Sequence, residues 1–367
     1  GTDDQIAYSY SDATIIAAQS IYAEKFIAPA GSDNWSKQGL LVKAGGSFDY
    51  LLRITNETSE DYHDLTIYDT LPRIHDRNIF AQAARGSEFS VRLRGPITPP
   101  EGYTVRYTTS EAVYQTSMHD MLAQDVWPDS VSDYAAVTAF RIDAGETAVL
   151  GKNSVFEVRI PASAPAQFDD ASMELLHGKS EQDQSCGTAS RLEAVNAFGF
   201  RTRESSAEKE SNSVWARVPF AGFCVKKVDG ASGNALAGAE FTLRGAAGTV
   251  IAAETSGEDG RIQFRELTEG IYTLTETAVP DGYMDKKLSM TVTITQNPVT
   301  MEYTIDFGGA DRGTGSTADP LRIENYGSPM LPETGGRGLS VFYAAGGLLL
   351  VSAALVWILR KRGGAKR

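Results

Sequence analysis

Leu288-Ser289-Met290-Thr291-Val292-Thr293-Ile294-Thr295-Gln296-Asn297-Pro298-Val299-Thr300-Met301-Glu302-Tyr303-Thr304-Ile305-Asp306-Phe307 decides the fold class. Successive side chains of an extended chain point to opposite sides. Leu288, Met290, Val292 and Ile294 therefore share one face, Met301, Tyr303, Ile305 and Phe307 share another, and Gln296-Asn297-Pro298 between them has turn chemistry. The stretch reads as two half-buried antiparallel strands, and helical periodicity is absent from about Phe220 to Asn325. Upstream, to about Val218, the same grammar continues, with Phe48, Tyr50, Leu52 and Ile54 on one face and Phe156, Val158 and Ile160 on another. The expected class is all-β: two β-sandwich domains in tandem, residues 1–219 and 220–327, followed by a linker at 328–338, one transmembrane helix at 339–359 and a basic tail at 360–367.

A chain of 367 residues that is 42% hydrophobic can bury more than one core. Its net charge of -13 argues against binding a phosphate backbone, so nucleic acid is excluded as a partner. Two cysteines, Cys186 and Cys224, are too few for a disulfide framework or a four-thiolate zinc site; they form one bridge or remain two small thiols, and pattern does not choose. Four scattered histidines (His63, His75, His119, His177) lack metal-ligand spacing, and no metal or cofactor is expected. Also missing are a GxSxG elbow, an HExxH pair, a phosphate-binding glycine loop and EF-hand spacing, so the chain is not expected to be an enzyme. It opens at Gly1 without a signal pattern and reads as a fragment or processed form whose export signal lay upstream.

From Leu339 to Leu359 the chain carries no charge, and a helix of that length crosses a bilayer core. Arg360, Lys361, Arg362, Lys366 and Arg367 follow, which places the carboxyl end in the cytoplasm and everything before the helix outside. Leu331-Pro332-Glu333-Thr334-Gly335, a short polar stretch, the apolar span and the basic end come in that order. The series resembles the cell-wall sorting signal of Gram-positive surface proteins. The resemblance implies that a membrane sortase cuts between Thr334 and Gly335 with a Cys nucleophile, holds Thr334 as an acyl-enzyme, and passes it to an amine of a peptidoglycan precursor or of a pilin. The chain is then the substrate of an acyl transfer, and the secreted product is wall-anchored and more acidic for having lost its basic end.

Val225-Lys226-Lys227-Val228-Asp229, Leu236-Ala237-Gly238-Ala239-Glu240-Phe241 and Tyr272-Thr273-Leu274-Thr275-Glu276-Thr277-Ala278-Val279-Pro280-Asp281-Gly282-Tyr283 resemble the B-type repeats of collagen adhesins and the SpaA-like domains of Gram-positive pilins. That family folds as a small β-sandwich with an internal Lys-to-Asn isopeptide bond, which by position puts the lysine at Lys227, the catalytic acid at Glu276 and the asparagine at Asn325. Strand parity gives an independent check. Lys227 shares a face with Phe223 and Val225, Glu276 with Tyr272 and Leu274, and Asn325 with Leu321 and Ile323, so all three polar residues sit on apolar faces. A lone buried lysine is costly and calls for a partner or for chemistry. Burial favours a neutral, nucleophilic amine on Lys227 and a protonated Glu276 that polarises the Asn325 carboxamide and carries protons as ammonia leaves. Lys226 is the rival nucleophile, on the opposite parity with Cys224, and Asn297 the rival amide, in a turn setting.

In the first domain Ala44-Gly45-Gly46-Ser47-Phe48-Asp49-Tyr50, Asn56, Asp69-Thr70-Leu71-Pro72 and Ala194-Val195-Asn196-Ala197-Phe198-Gly199 resemble immunoglobulin-like repeats that stack in bacterial surface stalks. Lys25 aligns with Ile21, Ala23 and Ile27, and Asp69 with Leu65 and Ile67. A second isopeptide bond from Lys25, assisted by Asp69, has two candidate amides: Asn196, in line with Leu192, Ala194, Phe198 and Phe200, and Asn212, in line with Val214, Ala216 and Val218. A buried ion pair without any bond suits Lys25 and Asp69 equally. Ala112 to Val137, with His119, Asp125 and Trp127, reads as a helix or an insertion, Arg203 to Ser213 as a solvated hairpin, and Gly308 to Pro320 as a flexible loop. The expected function is a wall-anchored structural stalk or adhesin that meets a host or matrix ligand. The alternatives are a minor base or tip pilus subunit, since no pilin-type Tyr-Pro-Lys motif is present, and the stalk of an enzyme whose catalytic domain lies upstream.

Replacing Thr334 with Ala is expected to leave the protein in the membrane fraction of a sortase-bearing cell. Fractionation decides it: release of the variant by wall hydrolases alone contradicts the sorting signal.

Overall fold

The computed structural model describes residues 20–80, 83–182, 190–205, 208–309, 312–328 and 338–363. The pentapeptide at 331–335 and Cys186 lie outside the described residues. The chain is mostly β, in several sheets.

In the amino-terminal part, Ser47–Asn56 is the pivot. It pairs antiparallel with Ile21–Pro29 on one side and Ser154–Ser163 on the other, and Arg92–Leu93 completes the sheet. Its alternating Phe48, Tyr50, Leu52 and Ile54 are fully buried, as the period of two demands. A second sheet runs Lys209–Glu210, Phe198–Arg201, Thr66–Thr70, Ala139–Ala144, Tyr103–Thr108, and in a third Val214–Pro219 lies between Arg191–Asn196, antiparallel to it, and Gly39–Leu41, parallel to it. Between these layers lies one apolar cluster that includes Ile27, Tyr50, Ile67, Phe140, Phe198 and Val218 and ends at Phe220.

Ala221 begins a separate cluster. Here Ala221–Asp229 is central to a three-stranded sheet, antiparallel to Arg261–Leu267 and parallel to Leu321–Asn325. A five-stranded sheet in the order Val250–Thr255, Glu240–Gly245, Gly270–Ala278, Ser289–Gln296, Tyr303–Asp306 covers it. Phe223 lies at the middle, wholly buried, its ring 5.0 Å from Phe264 and 5.3 Å from Phe307. The stretch that opened the sequence reading forms Ser289–Gln296 and Tyr303–Asp306 in antiparallel register. Met301 departs from the expected face: it sits in the turn at φ 58°, its N–H bonded to the Asn297 carbonyl, so the second strand starts two residues later.

Two further elements lie outside the strand grammar. Ala112 to Val137 is an insertion of short helical turns, and its Met118, Met121 and Trp127 pack on Tyr68 as a small cluster of their own. Trp127 is buried with its indole N–H on the Met121 carbonyl, so it is a satisfied core residue and lines no groove. Asp170–Gln182 is a helix the strand reading did not anticipate. Asp169 caps it by accepting from the Ser172 N–H, and its Leu176 is fully buried. It lies at the junction of the two domains, where His177 meets Glu266 at 3.0 Å and Phe168 packs on Phe220. Within Arg203 to Ser213, Lys209–Glu210 pairs antiparallel with Phe198–Arg201.

At the carboxyl end Gly338–Gly363 is one helix. Its Tyr343–Arg360 window has a mean hydropathy of 1.7 and none of it is buried, which makes it long and apolar enough to cross a membrane.

Gly315, at φ 75°, closes over the second core: an added Cβ would stand 2.8 Å from the Phe307 ring and 2.9 Å from the Phe223 Cβ. Gly315→Ala is therefore expected to lower the stability of this domain by about 1–3 kcal/mol through overpacking and a strained backbone. Thermal unfolding checks it, and an unchanged Tm contradicts the close packing.

Candidate functional site

The three polar residues of the second domain come from three strands and meet between the sheets. Lys227 and Asn325 belong to the parallel pair Ala221–Asp229 and Leu321–Asn325, in which Lys227 aligns with Ile323 and Asn325 with Asp229. Glu276 comes from the facing sheet, where it aligns with Phe241. Lys227 Nζ stands 2.9 Å from Glu276 Oε1, and Asn325 Nδ2 donates to the same oxygen at 3.1 Å. Lys227 is 0% exposed, Asn325 1% and Glu276 5%. Burial pushes the Lys227 amine below its ordinary value, against the pull of the Glu276 hydrogen bond and charge, and Lys286 adds to the lowering. Glu276 Oε2 has no hydrogen-bond partner among the described residues. One carboxylate oxygen thus touches both the amine that would attack and the amide that would lose ammonia, which is the position a proton relay needs. A pocket lined by Glu276, Lys286, Met290, Arg312 and Asn325 opens beside the set and offers a route to solvent. The rivals lie elsewhere: Lys226 donates to the Asp259 carbonyl, and Asn297 is exposed, capping its turn by accepting from Val299 and Thr300.

The first domain holds a similar arrangement. Lys25 Nζ lies 2.5 Å from Asp69 Oδ2 and 4.5 Å from the Tyr50 ring centre, and both charged side chains are 0% exposed. Burial lowers the Lys25 amine from 10.5 to about 8 despite Asp69. Burial likewise raises the Asp69 carboxyl, opposed by Lys25, Arg85 and the Asn196 side chain. The two candidate amides part company here. Asn196 is wholly buried, on the last residue of Arg191–Asn196, close to Asp69. Asn212 is exposed and occupied with backbone: its Oδ1 accepts from the Lys25 N–H at 2.9 Å and its Nδ2 donates to the Lys25 carbonyl at 3.0 Å. It extends the edge of the sheet and does not enter the core.

Sequence reading missed Arg85 and Asp76. They sit in an irregular loop, where no period marks a side chain as inward, yet Arg85 is buried with its guanidinium 3.6 Å from Asp76 and donating to Asn196 Oδ1 at 3.1 Å. Cys224 is buried and disulfide-bonded, and Cys186 is the other cysteine of the sequence. Among the described residues no group of histidine, cysteine and acidic side chains is placed to hold a metal.

Residues 221–307 match the family model for SpaA, a prealbumin-like fold domain. The SpaA match ends before Leu321–Asn325, so Asn325 joins Lys227 and Glu276 through the strand pairing and not through the matched residues. A search of curated proteins found no match. Among solved structures, the major pilin subunit BcpA of Bacillus cereus is 14% identical, with 84% of this chain and 71% of that one covered at a TM-score of 0.37. The pilus 2b backbone protein of group B streptococcus is 17% identical over 84% of this chain and 99% of that one, at 0.36. The pilus backbone RrgB of Streptococcus pneumoniae is 11% identical over 84% and 100%, at 0.35. At TM-scores this low the likeness carries no argument about function.

With Asn196 replaced by Ala, Lys25 keeps a free amine whose folded-state pKa of about 8 lies below its ordinary 10.5. The unfolded chain then binds more protons between those values, so the stability of this variant is expected to rise with pH from about 8 to about 10. Above that, Tyr50, whose hydroxyl burial holds above its ordinary 10.0, reverses the trend. Denaturant midpoints through the window test it, and a flat profile contradicts a buried free amine.

Proposed function

We propose that this chain is a covalently anchored structural protein of the Gram-positive cell surface, a stalk whose sandwiches are stapled by self-formed Lys-to-Asn isopeptide bonds. The observation that carries the reading is the buried Lys227, Glu276 and Asn325 set between the sheets of a SpaA-type domain. Glu276 takes a proton from the Lys227 ammonium, the free amine attacks the Asn325 carboxamide carbon, and Glu276 passes that proton to the amide nitrogen, which leaves as ammonia, while it takes the remaining extra proton from the new linkage. Lys25, Asp69 and Asn196 form the corresponding set in the first domain. The apolar helix after Leu331-Pro332-Glu333-Thr334-Gly335, with its basic end, supports sortase transfer at Thr334 and retention in the membrane until that cut. The partners of this reading are the sortase, the amine that receives Thr334, and a host or matrix ligand of the exposed domains. The chemistry these residues support lies within the chain.

A second reading, a minor pilus subunit, is favoured by the match of residues 221–307 to the SpaA model. The two differ in the amine joined to Thr334, which mass spectrometry of wall digests reads as a peptidoglycan cross-bridge or a pilin lysine.

The purified chain is expected to weigh two ammonia molecules less than its sequence, with Lys227→Ala, Glu276→Ala and Asn325→Ala each restoring one. Each variant should also unfold earlier and yield faster to protease, because a long-loop tie restricts the unfolded chain by about 3–5 kcal/mol. An unmodified wild-type mass ends the isopeptide reading.

A further inference from the structure

Arg85 is a cation in a core that already holds Lys25. Its side chain is 1% exposed, and the loop between Thr66–Thr70 and Arg92–Leu93 brings it in. Nη1 donates to the Thr70 carbonyl at 3.0 Å and to Asn196 Oδ1 at 3.1 Å, and Nη2 donates to Thr70 Oγ1 at 2.7 Å and the Arg77 carbonyl at 2.9 Å. Asp76 compensates the charge at 3.6 Å and is itself held by the Ser87 hydroxyl at 2.7 Å. A fully buried guanidinium is expensive, and a neutral side chain would fill the same space without that cost. Its direction is informative: among four acceptors, three are fixed parts of the loop and of Thr70, and the fourth is the carbonyl oxygen of the one buried amide beside Lys25 and Asp69. On the other side of that amide, Asn196 Nδ2 and Asp69 Oδ1 make no well-formed hydrogen bond among the described residues, although the Asn196 side chain lies near enough to Asp69 to favour its charged form. The carboxamide is gripped at its oxygen and left open at its nitrogen. In the second domain the contact runs the other way, with Asn325 nitrogen donating to Glu276.

We propose that Arg85 is the electrophilic catalyst of the first domain, its guanidinium holding Asn196 Oδ1 and stabilising the oxyanion that forms there when Lys25 Nζ attacks the carboxamide carbon. This rests on the reading of Lys25, Asp69 and Asn196 as a bond-forming set. A proton passes from the Lys25 ammonium to Asp69, leaving a neutral amine beside a neutral acid. The Nζ to Cγ bond forms as the carbonyl electrons move onto Oδ1, where the fixed charge-assisted donor meets them without reorganisation. Asp69 gives its proton to Nδ2 and accepts one from the new C–N linkage. The Cγ to Nδ2 bond breaks, ammonia leaves with three hydrogens, the linkage keeps one, and Asp69 ends protonated. The carboxylate therefore manages protons alone, and polarising the carbonyl falls to the guanidinium.

The test follows the full chain after cell-free synthesis, with the Lys25–Asn196 and Lys227–Asn325 cross-linked peptides quantified over time by mass spectrometry of tryptic digests. Arg85→Lys keeps a charge beside Asp76 but loses the planar fork, and the double variant Arg85→Met with Asp76→Asn removes both charges together, so neither leaves Asp76 buried without compensation. The expected result is a Lys25–Asn196 linkage slowed about a hundredfold in both variants, the loss typical of one oxyanion donor. The Lys227–Asn325 linkage, formed in the same molecules, should keep its wild-type rate, and added guanidinium ion should accelerate the slowed step in the double variant. Circular dichroism identifies variants that fold, and the Lys variant decides the matter if the double variant does not. Linkage at the wild-type rate in a folded variant overturns the role of Arg85 while leaving the bond itself standing. A wild-type chain without the Lys25–Asn196 peptide overturns the bond, and the role of Arg85 with it.

Discussion

A lysine amine shut away from water must be neutralised, paired or converted into an amide, and each sandwich is arranged around that requirement. Lys227 and Lys25 are both 0% exposed, each with a carboxylate within hydrogen-bonding distance and an amide in the same apolar layer. An ion pair in such a place regains little of what desolvation costs. Conversion to an amide removes the charge altogether and fixes the geometry, so a set that is poor as a salt bridge is well suited as a reactive one.

Placement of the set within each sandwich decides what a bond there would do. In the second domain Lys227 lies on the first strand and Asn325 on the last, and these strands are neighbours and parallel. Tension along the chain pulls a parallel terminal pair lengthwise past each other, loading every ladder hydrogen bond at once. A covalent tie between them would carry that load and leave the intervening strands unstretched. In the first domain Lys25 is again on the first described strand, and Asn196 lies next to the strand Val214–Pro219 that hands the chain on to Phe220. Both sets therefore lie on the path a pulling force takes.

Strands and facing were legible wherever one rule operated alone. Period-two alternation located Phe48 to Ile54 and Leu288 to Ile294, and the same alternation put Lys227, Glu276 and Asn325 on inward faces, because parity survives small errors in strand ends. It failed where another constraint took over. Met301 keeps the parity of its neighbours yet belongs to a turn, since the Asn297 cap sets the backbone there. Asp170–Gln182 carries few apolar side chains for a helix, and its signal was the Asp169 cap and not a face. Parity also could not separate Asn196 from Asn212, as each stands in line with apolar residues of an adjoining strand; only the contacts across the sheet show that Asn212 is spent on the backbone of Lys25.

Arg85 marks the limit of that kind of reading, and also explains why the two sets differ. A strand residue announces its direction through its neighbours at two-residue spacing, whereas a loop residue does so only through the contacts it makes. The second domain draws Lys227, Glu276 and Asn325 from strands alone, and a pocket lined by Glu276 and Asn325 opens beside them. In the first domain the Tyr50 and Phe198 ring centres lie 4.5 and 5.9 Å from Lys25 Nζ, and Lys25, Asp69 and Asn196 are wholly buried. In the proposed reaction, charge developing on the buried amide oxygen would be met by a fixed donor from the protein, and a loop is the element free to deliver a long side chain between packed sheets. On the proposed reading, Arg85 with its counter-ion Asp76 gives the first set a fixed donor on its amide oxygen, whereas in the second set the amide nitrogen donates to Glu276.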